Sequence, residues 1–402
     1  MEIKGKYGTA NVFASIVDDE TKKQIKNLMN QKFIKDTYVS IMADCHAGKG
    51  CVIGTTMKIT NNCVQSLVGV DIGCGMITVN LKKMDINLIK LDRFIRKKIP
   101  FGNDVRNETI KSNVDITKLY AYNSLKHKDR IEKSLGTLGG GNHFIEIDKD
   151  DEGNNYLIIH TGSRNLGKQV CEYYIDLAYL DYKAKYEKAR DSLVKRYKRL
   201  NKEAKINEGL DKLKRRYEIE KELIPLYGES FKKYLHDMKI CQEFALENRI
   251  EIAKEIMNFL GYSLNDFEYF QTIHNYINMD DLILRKGAIS AYSNEVVLIP
   301  INMKDGAIIA KGKSNEKYNY SAPHGAGRVL SRKQANEMIS LDDFKKAMSG
   351  IYSTSVQIDT IDESPFAYKS IDDILPNIVD TVDVIKIIKP IYNFKATYKR
   401  GR

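Results

Sequence analysis

The sequence has no run of eighteen or more apolar residues, and its first residues, MEIKGKYGTANVF, lack the apolar core of a secretory signal. Both absences predict a chain that neither crosses a membrane nor enters the secretory pathway. Only six cysteines occur in 402 residues, and their spacing forms no regular disulfide framework. The sequence therefore predicts a cytoplasmic protein whose thiols stay reduced.

The bulk composition is that of a globular protein, with 43% hydrophobic and 29% charged residues. A net charge of +11 favours polyanionic partners such as nucleic acid. Neither an internal repeat nor a linker interrupts the chain. We therefore predict one α+β domain over residues 1–402 that carries a helical excursion.

Histidine is scarce, and its distribution is uneven. Five of the seven histidines lie in Gly-rich segments, where short β-like runs such as NHFIEI and YLIIH carry them (His46, His143, His160, His274 and His324). Functional side chains at strand ends with glycine turns behind them are the usual layout of an active site on a mixed scaffold. These segments are the candidate site.

Residues 172–258 have a different composition, which is rich in Lys, Arg and Glu and nearly free of Gly and Pro. Apolar residues recur there at helical spacing, and a break at Asn207-Glu208-Gly209 predicts two antiparallel helices. Residues 181–222, the helical hairpin, hold 15 basic and 9 acidic residues. The segment is either a solvated helical insertion or an electrostatic platform for a phosphate backbone.

The stretch VGVDIGCGM offers two ligands for a divalent cation, Asp71 and Cys74. On a regular strand these side chains would diverge, but the neighbouring glycines allow the chain to bend so that they converge. With His143, His160 and His274 they can form a mixed site for Mn²⁺, Zn²⁺ or Fe²⁺. The alternative is that one or more of these histidines packs in the core.

The stretch GTLGGGNHFIEI suggests a strand with two functional faces. If residues 142–147 are extended, Asn142, Phe144 and Glu146 share one face, and His143 points to the other. The first set suits a polar ring such as guanine, because a carboxylate accepts from its N1–H and N2–H groups. Alternating burial of Phe144 and exposure of Glu146 explains the pattern equally well.

Two further stretches carry candidate reactive groups. In DCHAGKGCVIG, Asp44 is a candidate orienting carboxylate or base, and Lys49 is a candidate phosphate contact. In SAPHGAGRVLSR, small flexible neighbours explain His324 poorly as a core residue, which leaves a nucleophile or a general acid/base. A helix predicted to begin within GAGRVLSRKQA would present N–H groups to phosphate, assisted by Arg328 and Arg332.

One phosphate-binding motif is almost present. HTGSRNLGKQ approaches a P-loop, but Gln169 stands where that loop needs a Ser or Thr hydroxyl. The sequence therefore argues against a P-loop.

Together these segments resemble the RtcB family of RNA-splicing ligases. The motifs that match, in order between about residues 38 and 395, are DCHAGKGCVIG, VGVDIGCGM, GGGNHFIEI, HTGSRNLG, HNYI, RKGAI, HGAGRVLSR and AYKSID. The resemblance implies an RtcB-like domain of mixed and antiparallel sheets around a central metal site. It also implies an enzyme that uses GTP and Mn²⁺ to join RNA 2′,3′-cyclic phosphate or 3′-phosphate ends to 5′-hydroxyl ends.

Matched by position, the resemblance implies a role for each candidate residue. Two Mn²⁺ ions would be held by five ligands (Asp71, Cys74, His143, His160 and His274), with the Cys74 thiolate bridging them. His324 would attack GTP and become guanylylated, while Asp44 and Arg164 would support RNA or phosphate chemistry. The GTP contacts would be Asn142, Phe144, Glu146, Asn275, Ala326, Gly327, Tyr368 and Lys395. The Lys-x-Asp-Gly motif of lysine-dependent nucleotide ligases is absent, since its nearest string has Met303 at the lysine position.

The chain departs from the family pattern at Pro300-Ile301-Asn302-Met303, where Pro-Gly-Ser-Met is usual, and at Pro323, where Cys is usual. It also ends in a basic tail, ATYKRGR. Two alternatives stay open, namely a nucleotidyltransferase that caps 3′-phosphate ends and a metal-dependent phosphoesterase. The sequence points to no partner protein.

Overall fold

The computed structural model describes residues 1–396, so nearly all of the basic tail lies outside the described residues. The helices are α1 (Asp19–Met29), α2 (Leu88–Lys98), α3 (Lys128–Glu132), α4 (Arg164–Arg199), α5 (Ile206–Arg216), α6 (Gly228–Phe259), α7 (Arg332–Met338), α8 (Leu341–Ala347) and α9 (Ile371–Ile378).

The strands in chain order are β1 (Glu2–Lys4), β2 (Thr9–Val12), β3 (Val39–His46), β4 (Ile53–Lys58), β5 (Asn62–Cys63), β6 (Gly75–Lys82), β7 (Phe144–Lys149), β8 (Asn155–Thr161), β9 (Leu226–Tyr227), β10 (Tyr269–Ile273), β11 (Asn275–Ile277), β12 (Ile283–Lys286), β13 (Ala288–Ser290), β14 (Val296–Asn302), β15 (Gly306–Gly312), β16 (Ser321–Pro323) and β17 (Val382–Lys395).

Two larger sheets organise these strands. The first has the order β1-β2-β3-β4-β12-β11 and is mixed, because β2 and β3 run parallel. The second has the order β10-β6-β8-β7-β17-β15-β14, and each neighbouring pair in it is antiparallel. The predicted α+β class with mixed and antiparallel sheets is confirmed.

Helix α6 packs against both sheets. Tyr234, Met238 and Phe244 in its first half belong to the core cluster beneath the first sheet. Ile252 and Ile256 in its second half pack against β6, β7 and β8 of the second sheet. Burying each such side chain stabilises the fold by about 1.5–3 kcal/mol. The sheets are thereby fixed relative to each other, and the candidate site lies where their strands end.

The helical hairpin forms, but its turn differs from the prediction. The chain reverses at residues 200–205, and Gly209 lies inside α5 rather than at the break. A Cβ built on Gly209 would approach the Tyr197 ring to 2.9 Å, so this glycine lets α5 lie close against α4. The glycine therefore marks a helix contact, which the sequence pattern could not distinguish from a turn.

Within residues 1–396, no helix is both long enough and apolar enough to span a bilayer.

Candidate active site

Strand pairing in the antiparallel sheet gathers the five predicted metal ligands. Asp71 and Cys74 precede β6, His143 precedes β7, His160 lies in β8, and His274 follows β10. In the register, His160 pairs with Met76 on one side and with Phe144 on the other. Ligands that are far apart in the sequence therefore meet at one end of four strands.

The ligand atoms lie close together. The Cys74 Sγ atom is 3.5 Å from Nε2 of His143 and 3.3 Å from Nε2 of His160. Asp71 Oδ2 lies 3.1 Å from His143 Nε2, and the Nε2 atoms of His160 and His274 are 3.4 Å apart. Two overlapping ligand groups result, Asp71–Cys74–His143 and Cys74–His160–His274, which share the cysteine.

Backbone contacts orient two of the imidazoles. The Nδ1–H of His143 donates to the Leu138 carbonyl at 2.8 Å, and that of His160 donates to the Asn142 carbonyl at 3.2 Å. With Nδ1 engaged, Nε2 is the nitrogen of each ring that faces the Cys74 sulfur atom. Such a concentration of buried ligand atoms is stabilised by a cation, so the residues fit a transition-metal site.

The electrostatics of the ligand cluster agree with metal binding. Burial lowers the pKa of both His160 and His274 well below 6.5, so these imidazoles are neutral. Burial alone would raise the pKa of Asp71, but the hydrogen bond and charge of His143 lower it to about 2. Burial also raises the pKa of the Cys74 thiol well above 9.0, so metal binding must displace its proton.

The segment after β8 fits closely around the ligand cluster. A Cβ at Gly162 would lie 2.2 Å from Asp71 Oδ1, so the approach of these chains requires glycine there. Arg164 begins α4 with a left-handed backbone (φ 58°), and its charge helps to lower the pKa of Asp71. Its Nε donates to Thr137 Oγ1 at 3.2 Å. Because α4 begins at Arg164, Gly167 lies in the helix, and the stretch has no P-loop geometry.

His324 lies beside the ligand cluster and is held by Asp44. Its ring centroid is 4.7 Å from that of His274. The His324 Nδ1–H donates to Asp44 Oδ2 at 2.6 Å, and the backbone N–H of His324 donates to the same oxygen at 3.1 Å. The Asp44 side chain is fully buried, whereas 18% of the His324 side chain is exposed. With Nδ1 occupied, Nε2 is the ring nitrogen that has its lone pair available.

The GAG turn after His324 explains its glycines but is not the start of a helix. Gly327 has a φ of +77°, and a Cβ there would lie 2.0 Å from the Asp44 carbonyl oxygen. Helix α7 begins only at Arg332, so the predicted helix within GAGRVLSRKQA starts later than expected. Ser331 is its N-cap and accepts a hydrogen bond from the Gln334 N–H, which explains the later start.

A cavity of about 800 Å³ opens at His324. Most of the predicted nucleotide contacts line it, together with His160 and His274 (Asn142, Phe144, Glu146, Ala326, Gly327, Tyr368 and Lys395). Asn275 is the one predicted nucleotide contact outside its wall, and five other predicted site residues also lie outside it (Asp44, Asp71, Cys74, His143 and Arg164). The Asn275 side chain instead donates to the Asp71 carbonyl at 3.2 Å and accepts from the Gly287 N–H at 2.9 Å, so it holds the backbone beside the predicted metal ligands.

Sequence reasoning missed a buried carboxylate in this cavity. Glu363 accepts from Lys395 at 2.8 Å and from the Tyr368 hydroxyl at 2.6 Å, and it pairs with Arg332 at 2.9 Å. Burial alone would raise its pKa, but the charges of Lys395 and Arg332 lower it to about 2. The stretch DESPF that contains it has no distinctive spacing, so only the folded arrangement identifies it.

The residues of the unusual PINM string also line the cavity, on the side of His324. Pro300, Ile301, Asn302 and Met303 all contribute to its wall. A Cβ at Gly325 would lie 3.2 Å from the Pro300 carbonyl oxygen, so this string packs closely against the turn that follows His324. The departure from the family pattern therefore lies inside the candidate site.

Comparisons with known proteins identify the family of the chain. The chain matches the family described as tRNA-splicing ligase RtcB over residues 24–121 and 104–396. It is 28% identical to the RNA-splicing ligase RtcB of Escherichia coli K12, over 94% of this chain and 95% of that protein. It is 24% identical to the tRNA-splicing ligase RtcB of Thermococcus kodakarensis, over 93% of this chain and 90% of that protein. The chain belongs to the RtcB family.

Proposed function

We propose that this protein is an RNA ligase that uses GTP and Mn²⁺. It would join RNA 2′,3′-cyclic phosphate or 3′-phosphate ends to 5′-hydroxyl ends through a guanylylated His324. The whole chain, residues 1–402, would act as one catalytic domain with residues 172–258 as a helical insertion. The family membership supports the ligase class, and the names of the relatives identify RNA splicing as their activity.

The observation that carries the proposal is His324 at the cavity wall, hydrogen-bonded to the buried Asp44 and next to a cluster of side chains that could bind metal. A buried carboxylate that accepts from Nδ1 keeps the neutral imidazole in the tautomer whose Nε2 is unprotonated. An unprotonated imidazole nitrogen is a nucleophile. A merely structural histidine would not need an open cavity on its free side.

In the first step, Nε2 of His324 would form a bond to the α-phosphorus of GTP as the bond to pyrophosphate breaks. The GMP would then pass to the RNA 3′-phosphate, and the 5′-hydroxyl would displace GMP. Cyclic phosphate ends would first be hydrolysed to 3′-phosphates. Two Mn²⁺ ions held by Asp71, Cys74, His143, His160 and His274 would neutralise the negative charge of the phosphates.

The test is to incubate the protein with α-labelled GTP and Mn²⁺ and to measure an acid-labile protein adduct. We expect the adduct in the wild type and its loss in His324→Ala. His236→Ala is a matched control, because the Nδ1–H of His236 also donates to a carboxylate, Asp237, and His236 is not in the cavity wall. If no nucleoside triphosphate forms an adduct, the proposal is wrong, and a metal-dependent phosphoesterase becomes the better hypothesis.

The adduct-forming protein is next supplied with RNA that carries 3′-phosphate and 5′-hydroxyl ends. We expect sealed RNA as the product. Accumulation of RNA 3′-ends capped with GMP, without sealing, would instead identify an end-capping nucleotidyltransferase.

A further inference from the structure

A second asparagine, Asn393, lies on the cavity wall beside Glu146. The two residues face each other across the antiparallel pairing of β17 with β7, in which they are register partners. Asn393 is 1% exposed and Glu146 is 3% exposed, and both line the cavity. They are therefore buried polar groups that a ligand in this cavity would touch.

The hydrogen bonds of Asn393 fix the direction of its amide. Its Nδ2 donates to Glu146 Oε2. The reverse orientation would bring the amide oxygen against the carboxylate, which is unfavourable because both groups only accept. The remaining atom, Asn393 Oδ1, is buried and has no hydrogen-bond partner. A buried acceptor left without a donor is costly, so the site is incomplete until a donor arrives.

Asp148 is a third buried polar residue, and it neighbours Glu146. It lies two residues from Glu146 on the same face of β7, it is fully buried, and neither of its oxygens has a donor. Burial and the charge of Glu146 raise the pKa of Asp148 well above 3.8, so Asp148 is a neutral acid that donates to Glu146. Burial raises the pKa of Glu146 too, but the hydrogen bonds from Asp148 and Asn393 and the charge of Lys395 lower it, so Glu146 is the more acidic member of the pair.

Three side chains then form one polar group on the paired strands. Lys395 and Asn393 are two residues apart on β17, both line the cavity, and Glu146 opposes Asn393 from β7. Together they offer a donor (Lys395), a carboxylate (Glu146) and an acceptor (Asn393 Oδ1). Guanine carries the complementary groups, namely an O6 acceptor, an N1–H donor and a 2-amino group with two hydrogens.

We propose that Asn393 is a specificity-determining residue, which accepts a hydrogen bond from the 2-amino group of the guanine base. Glu146 takes N1–H and the other 2-amino hydrogen, and Lys395 faces O6. Hypoxanthine lacks the 2-amino group, so it leaves Asn393 Oδ1 unpaired. Adenine presents an acceptor at N1, opposite the carboxylate. The inference rests on the proposed use of GTP at this cavity.

The experiment measures the second-order rate constant of adduct formation at His324 with GTP and with inosine triphosphate. In the wild type we expect a preference for GTP of about 100-fold, because the 2-amino group makes two hydrogen bonds to buried acceptors. In Asn393→Ala we expect a preference of about tenfold, since only the Glu146 contact remains. The rate of adduct formation in Asn393→Ala should fall with GTP and stay unchanged with inosine triphosphate.

Asn155→Ala is the matched control. Asn155 is likewise a buried strand asparagine with an unpartnered Oδ1, but it does not line the cavity, so it should keep the wild-type ratio. The inference is overturned if the wild type uses both nucleotides equally, a result that needs no variant to fold. It is also overturned if folded Asn393→Ala keeps the wild-type ratio. Absence of any adduct in the wild type would instead refute the proposed function, on which the inference depends.

Discussion

Replacing Asp44 tests how far the reactivity of His324 depends on its carboxylate partner. Asp44→Ala removes the acceptor at 2.6 Å from Nδ1 and leaves the ring free to rotate or to change tautomer. A buried hydrogen bond to a charged group contributes about 1.5–3 kcal/mol, and each 1.4 kcal/mol corresponds to a tenfold change in rate. We therefore expect adduct formation to slow by roughly 10- to 150-fold.

The conservative change Asp44→Asn should have a smaller effect. The backbone N–H of His324 donates to the same oxygen at 3.1 Å, so it disfavours the amide orientation that would place NH₂ there. The amide oxygen therefore keeps the ring in place while the negative charge is lost, and we expect a reduction of about tenfold.

The assay is single-turnover formation of the labelled adduct at saturating GTP, with bound metal measured in each variant. His236→Ala serves as the control, because it removes a histidine–carboxylate pair that lies outside the cavity wall. If Asp44→Ala forms the adduct at the wild-type rate with unchanged metal content, then Asp44 does not position the nucleophile, and our reasoning about this pair is wrong.

Three other predictions concern the hairpin, the metal ligands and Glu363. Four exposed lysines of the hairpin can be changed to Gln together (Lys195, Lys198, Lys202 and Lys205). If all four contact phosphates, RNA binding should weaken, and the slope of log K against log salt should fall in magnitude by about 3. An unchanged slope would identify a solvated insertion. Titration of metal-free protein with Mn²⁺ at pH 7 should release protons, and Cys74→Ala should reduce that release by about one proton per chain; calorimetry in buffers of different ionisation enthalpy measures it. Because the pKa of Glu363 is lowered from 4.5 to about 2 in the folded protein, its carboxylate should contribute about 3 kcal/mol of stability above pH 4.5, which is lost as the pH falls towards 2. The difference in unfolding free energy between wild type and Glu363→Gln should therefore narrow over that range, and a constant difference would contradict the assigned ion pairs.

The metal ligands could be proposed from sequence because each lies in a short motif with a local physical meaning. Glycines around Asp71 and Cys74 indicated a bend, and the alternation in NHFIEI separated His143 from Glu146. The structure brings these groups together as expected, and it adds the register that joins β6, β7, β8 and β10. Local patterns therefore identified the groups, while strand pairing supplied their distances.

Other parts of the site could not be predicted in this way. Asn393 meets Glu146 only because β17 pairs with β7, two strands whose paired residues are separated by 247 positions. Glu363 depends on cations from two separate segments, Arg332 and Lys395. The predicted position of the hairpin turn was wrong because Gly209 allows α4 and α5 to pack closely rather than allowing a turn. In the sequence, a glycine that permits close approach looks the same as one that permits a turn.

The long sequence separations within the site have a consequence for synthesis. The contact between His160 and His274 cannot form until 114 more residues have been made, and the contact between Asp44 and His324 requires 280 more. Loop closure over such distances comes late in folding, because the chain entropy is lost before the contacts stabilise the fold. A nascent chain on the ribosome thus carries the predicted metal ligands before it carries the proposed nucleophile, and both before Asn393 and Lys395 complete the cavity wall. A product of translation that stops before β17, the last strand of residues 1–396, would therefore lack two of the proposed nucleotide contacts.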